Sequence, residues 1–138
     1  MERTYLKLRV RHLVSITVLL TLSVLAAGAA VVWHSLGTTS VKATPPDAVP
    51  QEAAIRLMSA RGPFTTIRLE VYDGTVTLDR LVVTYAHGTT QSVDLKHTQF
   101  ESGSLTPETT LTGNDHVIRK VTFWYIAPKF ANVRLYAR

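Results

Sequence analysis

The chain has 138 residues, no cysteine and a formal net charge of +5. Without cysteine, a disulfide framework, a Cys-based zinc site and a cysteine nucleophile are excluded. Residues 1–33 carry four bases and one acid, whereas residues 34–138 carry eleven bases and nine acids, so most of the excess charge precedes residue 34. The later charges alternate in sign along the chain instead of forming a basic stripe, so no nucleic-acid partner is predicted.

The longest apolar segment starts at Leu13, ends at Trp33 and contains 21 residues without a charge. A helix of about 20 apolar residues spans the hydrocarbon core of a bilayer. The preceding residues, 1–12, are rich in Arg and Lys and should stay in the cytoplasm. The sequence therefore predicts a single-pass protein of the cell (inner) membrane. The segment 13–33 contacts the lipid, and the C-terminal domain lies on the periplasmic or extracellular side.

A cleaved signal peptide is the alternative interpretation of the same segment. The apolar centre is followed by small residues, and the best cleavage position lies between Ala29 and Ala30. Cleavage there would release a secreted domain. The anchor interpretation is favoured because the apolar run continues to Trp33, where an interfacial aromatic residue is typical.

Residues 34–51 are rich in Thr, Ser, Ala and Pro, and three prolines stand at positions 45, 46 and 50. Proline favours extended backbone, and no apolar period is visible in this segment. We therefore predict a semi-extended linker that separates the domain from the membrane.

Residues 52–138 are predicted to form one small all-β domain. Strands are indicated by alternating apolar and polar residues or by β-branched residues, and turns recur about every 8–12 residues. The segment 53–60 is ambiguous, and 97–108 is predicted to be a polar loop. The predicted strands cover 64–72, 80–86, 91–96, 117–127 and 132–137, with a short one at 109–112. The expected fold is a small antiparallel β-sandwich of about six to seven strands, preceded by one N-terminal transmembrane or signal helix.

One strand and one hairpin carry the clearest patterns. In 117–127, Val121 and Phe123 share one face and Trp124 lies on the other. The segments 80–86 and 91–96 flank a short glycine turn and predict a β-hairpin.

Three segments stand out along the domain: RLVVTYAHGTTQSVDL at 80–95, LTGNDHVIRKVTFWY at 111–125 and NVRLYAR at 132–138, with a Gly-Ser pair at 103–104 between the first two. Together they resemble a family of small exported bacterial β-sandwich proteins of unknown function. The resemblance extends over about residues 67–137. It implies export and a β-sandwich fold, and it implies no catalytic or ligand-binding residue.

The motifs of common enzymes are absent from the sequence. There is no G-x-S-x-G, P-loop or G-x-G-x-x-G motif. The histidines at 87, 97 and 116 fall at predicted turns without the spacing of a metal site. The sequence thus predicts no enzyme, no catalytic residue, no metal and no cofactor.

Aromatic residues are the candidate binding residues. Trp124 lies on the face of its strand opposite Phe123, and Tyr72 and Tyr136 are predicted to point outward from their strands. Exposed aromatic side chains can bind a protein partner or a glycan. The alternative is that Trp124 only covers a sheet edge or lies under a loop.

Three functional hypotheses follow. The first is a non-enzymatic, membrane-tethered interaction module that contacts an unknown protein of the bacterial envelope, with an exposed apolar patch. The second is a secreted module that binds a glycan or small ligand through aligned aromatic rings, Trp124 among them. The third is a hydrolase, which would require one of the three loop histidines to meet Glu70, Asp79 or Asp94 in a pocket.

Overall fold

The computed structural model describes residues 31–138, and all of its regular structure is β-strand. The strands are β1 (His34–Val41), β2 (Gln51–Arg61), β3 (Thr66–Tyr72), β4 (Val76–Tyr85), β5 (Thr90–Phe100), β6 (Ser104–Leu105), β7 (Thr109–Thr110), β8 (Ile118–Ile126) and β9 (Ala131–Ala137). They form two antiparallel sheets. Sheet A has the order β1-β9-β3, with β6 and β7 both paired to the outer edge of β3. Sheet B has the order β2-β8-β4-β5.

A single hydrophobic core contains side chains from both sheets. Alternation sends every second residue of a strand inward. Ile67, Leu69 and Val71 of β3 are fully buried in this way, as are Val121 and Phe123 of β8. The predicted all-β class and the predicted inner faces of these strands are therefore confirmed.

The predicted hairpin is also confirmed, because β4 and β5 pair directly across the 86–89 turn. The connections β1–β2, β2–β3, β3–β4 and β8–β9 cross from one sheet to the other, whereas β5 and β8 both belong to sheet B and are joined through the short strands β6 and β7 of sheet A. The Asp73-Gly74 turn is an example, since it links β3 in sheet A to β4 in sheet B. A Cβ at Gly74 would lie 2.5 Å from the Phe130 carbonyl oxygen, so only glycine fits this crossing.

The interpretation of residues 34–51 as a linker is wrong for its first half. Residues 34–41 form β1, which pairs with β9 from His34↔Ala137 to Val41↔Ala131. Only 42–50 connects strands, and it is attached to the fold by a backbone hydrogen bond from Thr44 to Ala127. The Thr/Ser-rich sequence hid this edge strand because only Leu36 and Val41 of β1 are buried apolar residues.

The domain consequently begins at Trp33 rather than at residue 52. Trp33 was predicted to belong to the membrane segment, but its ring lies against Arg68 of β3 and against Arg138, which follows β9. The basic flank 1–12, most of the apolar segment and the Ala29–Ala30 cleavage position lie outside the described residues. Within residues 31–138, no helix is long and apolar enough to cross a membrane.

Two further segments differ from the prediction. The ambiguous segment 53–60 lies within the strand β2, and the predicted loop 97–108 contains the end of β5 and the short strand β6. These additions raise the described strand count to nine, above the predicted six to seven. β2 and the end of β5 were missed because both are edge strands of sheet B, and their long runs of exposed residues interrupt the simple alternation.

Candidate functional site

The outer face of sheet A carries a continuous group of aromatic and arginine side chains. Antiparallel pairing places Arg68 opposite Tyr136, Glu70 opposite Arg134 and Tyr72 opposite Asn132. These residues alternate with the buried residues of β3 and β9, so they all point away from the core. We call the following six residues the aromatic–arginine face: Trp33, Arg68, Tyr72, Arg134, Tyr136 and Arg138.

The Trp33 ring is contacted by two arginines at one end of this face. The Arg68 guanidinium carbon lies 4.0 Å from the centroid of the Trp33 ring, and that of Arg138 lies 5.0 Å away. Glu108 accepts a hydrogen bond of 3.0 Å from Arg138 and lies 3.9 Å from Arg68. A guanidinium over an indole ring is the strongest common cation–π geometry in proteins, so this end of the face is well fixed.

Arg134 organises the other end. Its guanidinium carbon lies 4.8 Å from the Tyr72 ring centroid, and its Nη1 donates a hydrogen bond of 3.1 Å to the Tyr136 hydroxyl. The same nitrogen lies 3.7 Å from a carboxylate oxygen of Glu70. The hydrogen bond with Tyr136, followed by the contact with Tyr72, raises the pKa of Arg134 above its ordinary value, so the guanidinium stays charged.

The structure brings two of the three predicted binding residues together and separates the third. Tyr72 and Tyr136 share the aromatic–arginine face, as their outward orientation predicted. Trp124 lies on the outer face of sheet B, where it stands beside Arg80 and opposite Glu52. The Arg80 guanidinium carbon lies 3.8 Å from the Trp124 ring centroid and covers one side of the ring.

A double bulge in sheet B creates an open depression near Trp124. Lys96 and His97 both have positive φ, at 57° and 50°, and the pairing of β4 with β5 skips from Leu78 to Arg80. The bulge leaves two successive residues, Asp79 and Arg80, outside the core, and Asp79 forms a hydrogen bond with Nδ1 of His97. The depression has a volume of about 380 Å³ and is lined by Asp79, Arg80, Ser92, Asp94, Lys96 and His97.

This depression meets the geometric requirement of the hydrolase hypothesis, because His97 contacts Asp79 and Asp94 lines the same surface. A histidine–carboxylate pair can orient an imidazole for proton transfer. However, the two side chains are substantially exposed, and the depression is open to water, which weakens any electrostatic catalysis. Among residues 31–138, no group of three His, Asp or Glu residues is arranged to hold a metal ion.

A second histidine–carboxylate pair closes the turn at the end of the β4–β5 hairpin. Nδ1 of His87 lies 2.5 Å from a carboxylate oxygen of Asp115, which also accepts the backbone N–H of His87 at 3.1 Å. The other oxygen of Asp115 accepts the backbone N–H of Val117 at 3.1 Å. The His87 side chain, followed by the Val117 N–H, lowers the pKa of Asp115 below its ordinary value. The pair thus joins two loops and is explained by structure alone.

The family comparison covers both the described fold and the apolar segment before it. The family model described as Domain of unknown function (DUF2541) matches residues 13–137. The chain belongs to the DUF2541 family. The match includes β1 and the residues of the predicted linker, as expected if they are part of the domain. A search of the curated proteins finds no match.

Membership in DUF2541 confirms the predicted resemblance to a family of unknown function. It supplies no substrate or partner. Sequence reasoning missed the arginines of the aromatic–arginine face, although the same alternation that pointed Tyr72 and Tyr136 outward also applies to Arg68 and Arg134. Strand alternation could not place Trp33 on this face, because Trp33 precedes β1 and directly continues the apolar segment.

Proposed function

We propose that this DUF2541 protein is a non-enzymatic, membrane-tethered interaction module, exported in a bacterial envelope, that binds a protein partner through its aromatic–arginine face. The apolar residues before Trp33 supply the tether, and the basic flank 1–12 orients it with the domain outside the cytoplasm. The observation that carries the proposal is the concentration of Trp, Tyr and Arg on one sheet face. These three residue types dominate the binding energy of protein–protein interfaces.

The rigidity of the face supports this role. Trp33 and Tyr72 are each packed against a guanidinium, and Glu70 and Glu108 pair with the arginines. Side chains that are already ordered lose less conformational entropy when a partner binds. A partner could therefore meet three aromatic rings and three cations without rearranging the sheet.

The glycan-binding alternative is less well supported. A sugar stacks on an open ring face, but one face of Trp33 and one face of Trp124 are already covered by arginines at 4.0 and 3.8 Å. The two tryptophans also belong to different sheets, since Trp33 contacts Arg68 of β3 and Trp124 is part of β8. They do not form one aligned platform.

Site-specific crosslinking in intact membranes tests the proposal. A photoreactive residue replaces Tyr72 on the aromatic–arginine face, and a matched control replaces Val82 on the outer face of sheet B. We expect a protein adduct from position 72 that is absent from position 82 and is lost when Tyr136 is also changed to Ser. Equal adducts from both positions, or an adduct that survives Tyr136→Ser, would reject this face as the binding surface.

A further inference from the structure

Four cations meet at one corner of sheet B. Antiparallel pairing places Arg56 of β2 directly opposite Lys120 of β8, and Arg61 opposite Ile118. Arg119 follows Ile118 and is exposed, because the pairing of β8 with β4 shifts register at this point. We call Arg56, Arg61, Arg119 and Lys120 the basic corner.

The basic corner has no acidic partner within residues 31–138. The ion pairs in this part of the chain involve other arginines and two histidines, and no carboxylate lies within 4.0 Å of these four cations. Arg119 donates one hydrogen bond of 2.6 Å to the Ala86 carbonyl oxygen. Like charges directly across a sheet repel each other, so Arg56 and Lys120 together favour an anion from outside the chain.

The corner belongs to a strongly basic end of the domain. At this end β1, β3 and β8 begin while β2 and β9 finish, as the hydrogen bonds of Phe64 to His116 and of Thr65 to Arg138 show. It holds six Arg or Lys residues, at 56, 61, 68, 119, 120 and 138, and two acids, at 108 and 115, so its charge is +4. The rest of residues 34–138 holds five bases and seven acids, a charge of −2. This uneven distribution of charge cannot be seen in the sequence, where positive and negative residues alternate.

The chain reaches the domain at the same end. Trp33 contacts Arg68 and Arg138 there, and residues 13–32 directly before it are apolar and uncharged. Since β1 starts at His34, no spacer separates this end from the apolar segment. Met58, which lies between Arg56 and Arg61 on β2, is fully exposed and provides an apolar side chain beside the cations.

We infer that the basic corner docks the domain on the anionic phospholipid headgroups of the membrane that holds the tether. The inference depends on the proposed tether and adds a fixed orientation, with the basic end toward the lipid and the acidic end away from it. Each Arg or Lys near an anionic surface strengthens the association by about fivefold. The attraction is electrostatic and therefore weakens as salt shortens the Debye length.

The experiment uses the full chain in vesicles, and the absence of native cysteine makes single-site labelling simple. Ser59→Cys at the basic end and Ser102→Cys in the turn after β5 each receive a fluorophore. Quenching by a headgroup-labelled lipid reports proximity to the surface. We expect strong quenching at position 59 in phosphatidylcholine–phosphatidylglycerol vesicles at low salt, weak quenching in phosphatidylcholine alone, and weak quenching at position 102 in both.

Matched charge removals make the test specific. Arg56→Gln with Arg61→Gln should reduce the docked-to-undocked ratio by about 25-fold, the product of two fivefold losses. Lys42→Gln with Lys129→Gln removes the same charge from the other end and should leave it unchanged. Equal losses in both double variants, equal quenching at positions 59 and 102, or quenching at 59 that ignores phosphatidylglycerol would overturn the inference.

Carbonate extraction of the same vesicles separates this inference from the proposed function. If the chain resists extraction but position 59 stays unquenched, the tether stands and the docking fails. If carbonate releases the chain, the tether fails, and co-sedimentation of the released chain with phosphatidylglycerol vesicles then tests the basic corner directly. Binding that is lost in the Arg56→Gln, Arg61→Gln variant supports the corner, whereas absence of co-sedimentation rejects it.

Discussion

At the scale of single residues, the placement of Trp33 decides where the domain begins. Its ring lies under Arg68 and beside Arg138, and each such contact contributes about 0.5–1 kcal/mol at a partly exposed site. We expect Trp33→Ala to lower the free energy of unfolding by about 1–2 kcal/mol, the sum of two contacts. A thermal melt followed by circular dichroism measures the change, with Arg68→Gln and Arg138→Gln as partial losses. An unchanged melt would mean that Trp33 serves only the apolar segment.

A second prediction for a single residue concerns Asp115, which should make the folding stability depend on pH. Its hydrogen bonds from His87 and Val117 hold its pKa below the ordinary value in the folded protein, so folding favours the carboxylate. The stabilisation is present above the pKa of the unfolded group and is lost as the pH falls through the folded pKa. The Tm difference between the native chain and Asp115→Asn should therefore be largest near neutral pH and disappear in acid.

Melts of both proteins across the acid range check this expectation. Asp47→Asn is the control, because Asp47 is an exposed carboxylate in the 42–50 connection and takes part in no ion pair within the described residues. It should show no Tm difference at neutral pH. A difference for Asp115→Asn that persists at low pH would mean that the substitution disturbs the turn itself rather than an ionised hydrogen bond.

At the scale of elements, β8 is the central test of the packing. Val121 and Phe123 are both 0 % exposed, whereas Val49 is 77 % exposed. Removing the buried side chains leaves a cavity, so Val121→Ala and Phe123→Ala should each cost about 2–5 kcal/mol. Val49→Ala makes the same chemical change as Val121→Ala and should cost almost nothing. Urea or thermal unfolding compares the three variants. An equal loss of stability for Val121→Ala and Val49→Ala would show that Val121 does not lie on the inner face of β8.

The elements also show why sequence reasoning succeeded for some strands and failed for others. β3, β8 and β9 lie inside their sheets and bury one complete face, so their apolar period is unbroken and their faces were predicted correctly. β1 is an edge strand that buries only Leu36 and Val41, and its Thr/Ser-rich sequence resembles a linker. An edge strand contributes less apolar surface to the core, and its backbone pairing leaves no pattern in the side chains.

Some features of the candidate site could likewise be predicted from the sequence, and others could not. The outward orientation of Tyr72 and Tyr136 follows from alternation within single strands, so it was predictable. Their separation from Trp124 depends on which sheet each strand joins, and strand alternation carries no information on that choice. The His97–Asp79 contact depends on a bulge with two residues at positive φ, neither of them glycine. Such backbone geometry leaves no sequence signal comparable to a glycine turn.

At the scale of the whole molecule, the sequence distributes charge in a way that only the fold reveals. Residues 34–138 alternate in sign along the chain, yet pairing of β2 with β8 gathers four cations without acidic partners among the described residues. The same end receives the chain from the apolar segment. Trp33, the residue that follows the apolar segment in the sequence, lies at the same end of the domain as the basic corner, and the aromatic–arginine face extends away from that end.

The tether itself gives the last prediction. The removal of Trp33 from the apolar segment leaves 20 uncharged residues, 13–32, still enough for a helix of about 30 Å. We expect a C-terminally tagged chain to keep its full mass in cells and to resist carbonate extraction. A double substitution by charged residues, Leu19→Lys with Leu22→Lys, should release it, because each charge near the centre of a membrane helix costs about 2.5–3.5 kcal/mol.

The alternative to the anchor is cleavage of the apolar segment as a signal peptide. Cleavage after Ala29 would remove about 29 residues, a normal signal-peptide length, and would leave only three residues before Trp33. The domain would stay intact, since β1 begins at His34 and Trp33 would keep its arginine contacts. A shortened, carbonate-soluble product would therefore end the tether hypothesis while preserving the fold. Ala29→Leu blocks a cleavage motif of small residues but leaves an apolar anchor intact. A product that is larger than that of the native chain by about 29 residues would therefore identify cleavage, and products of the same length would identify the anchor.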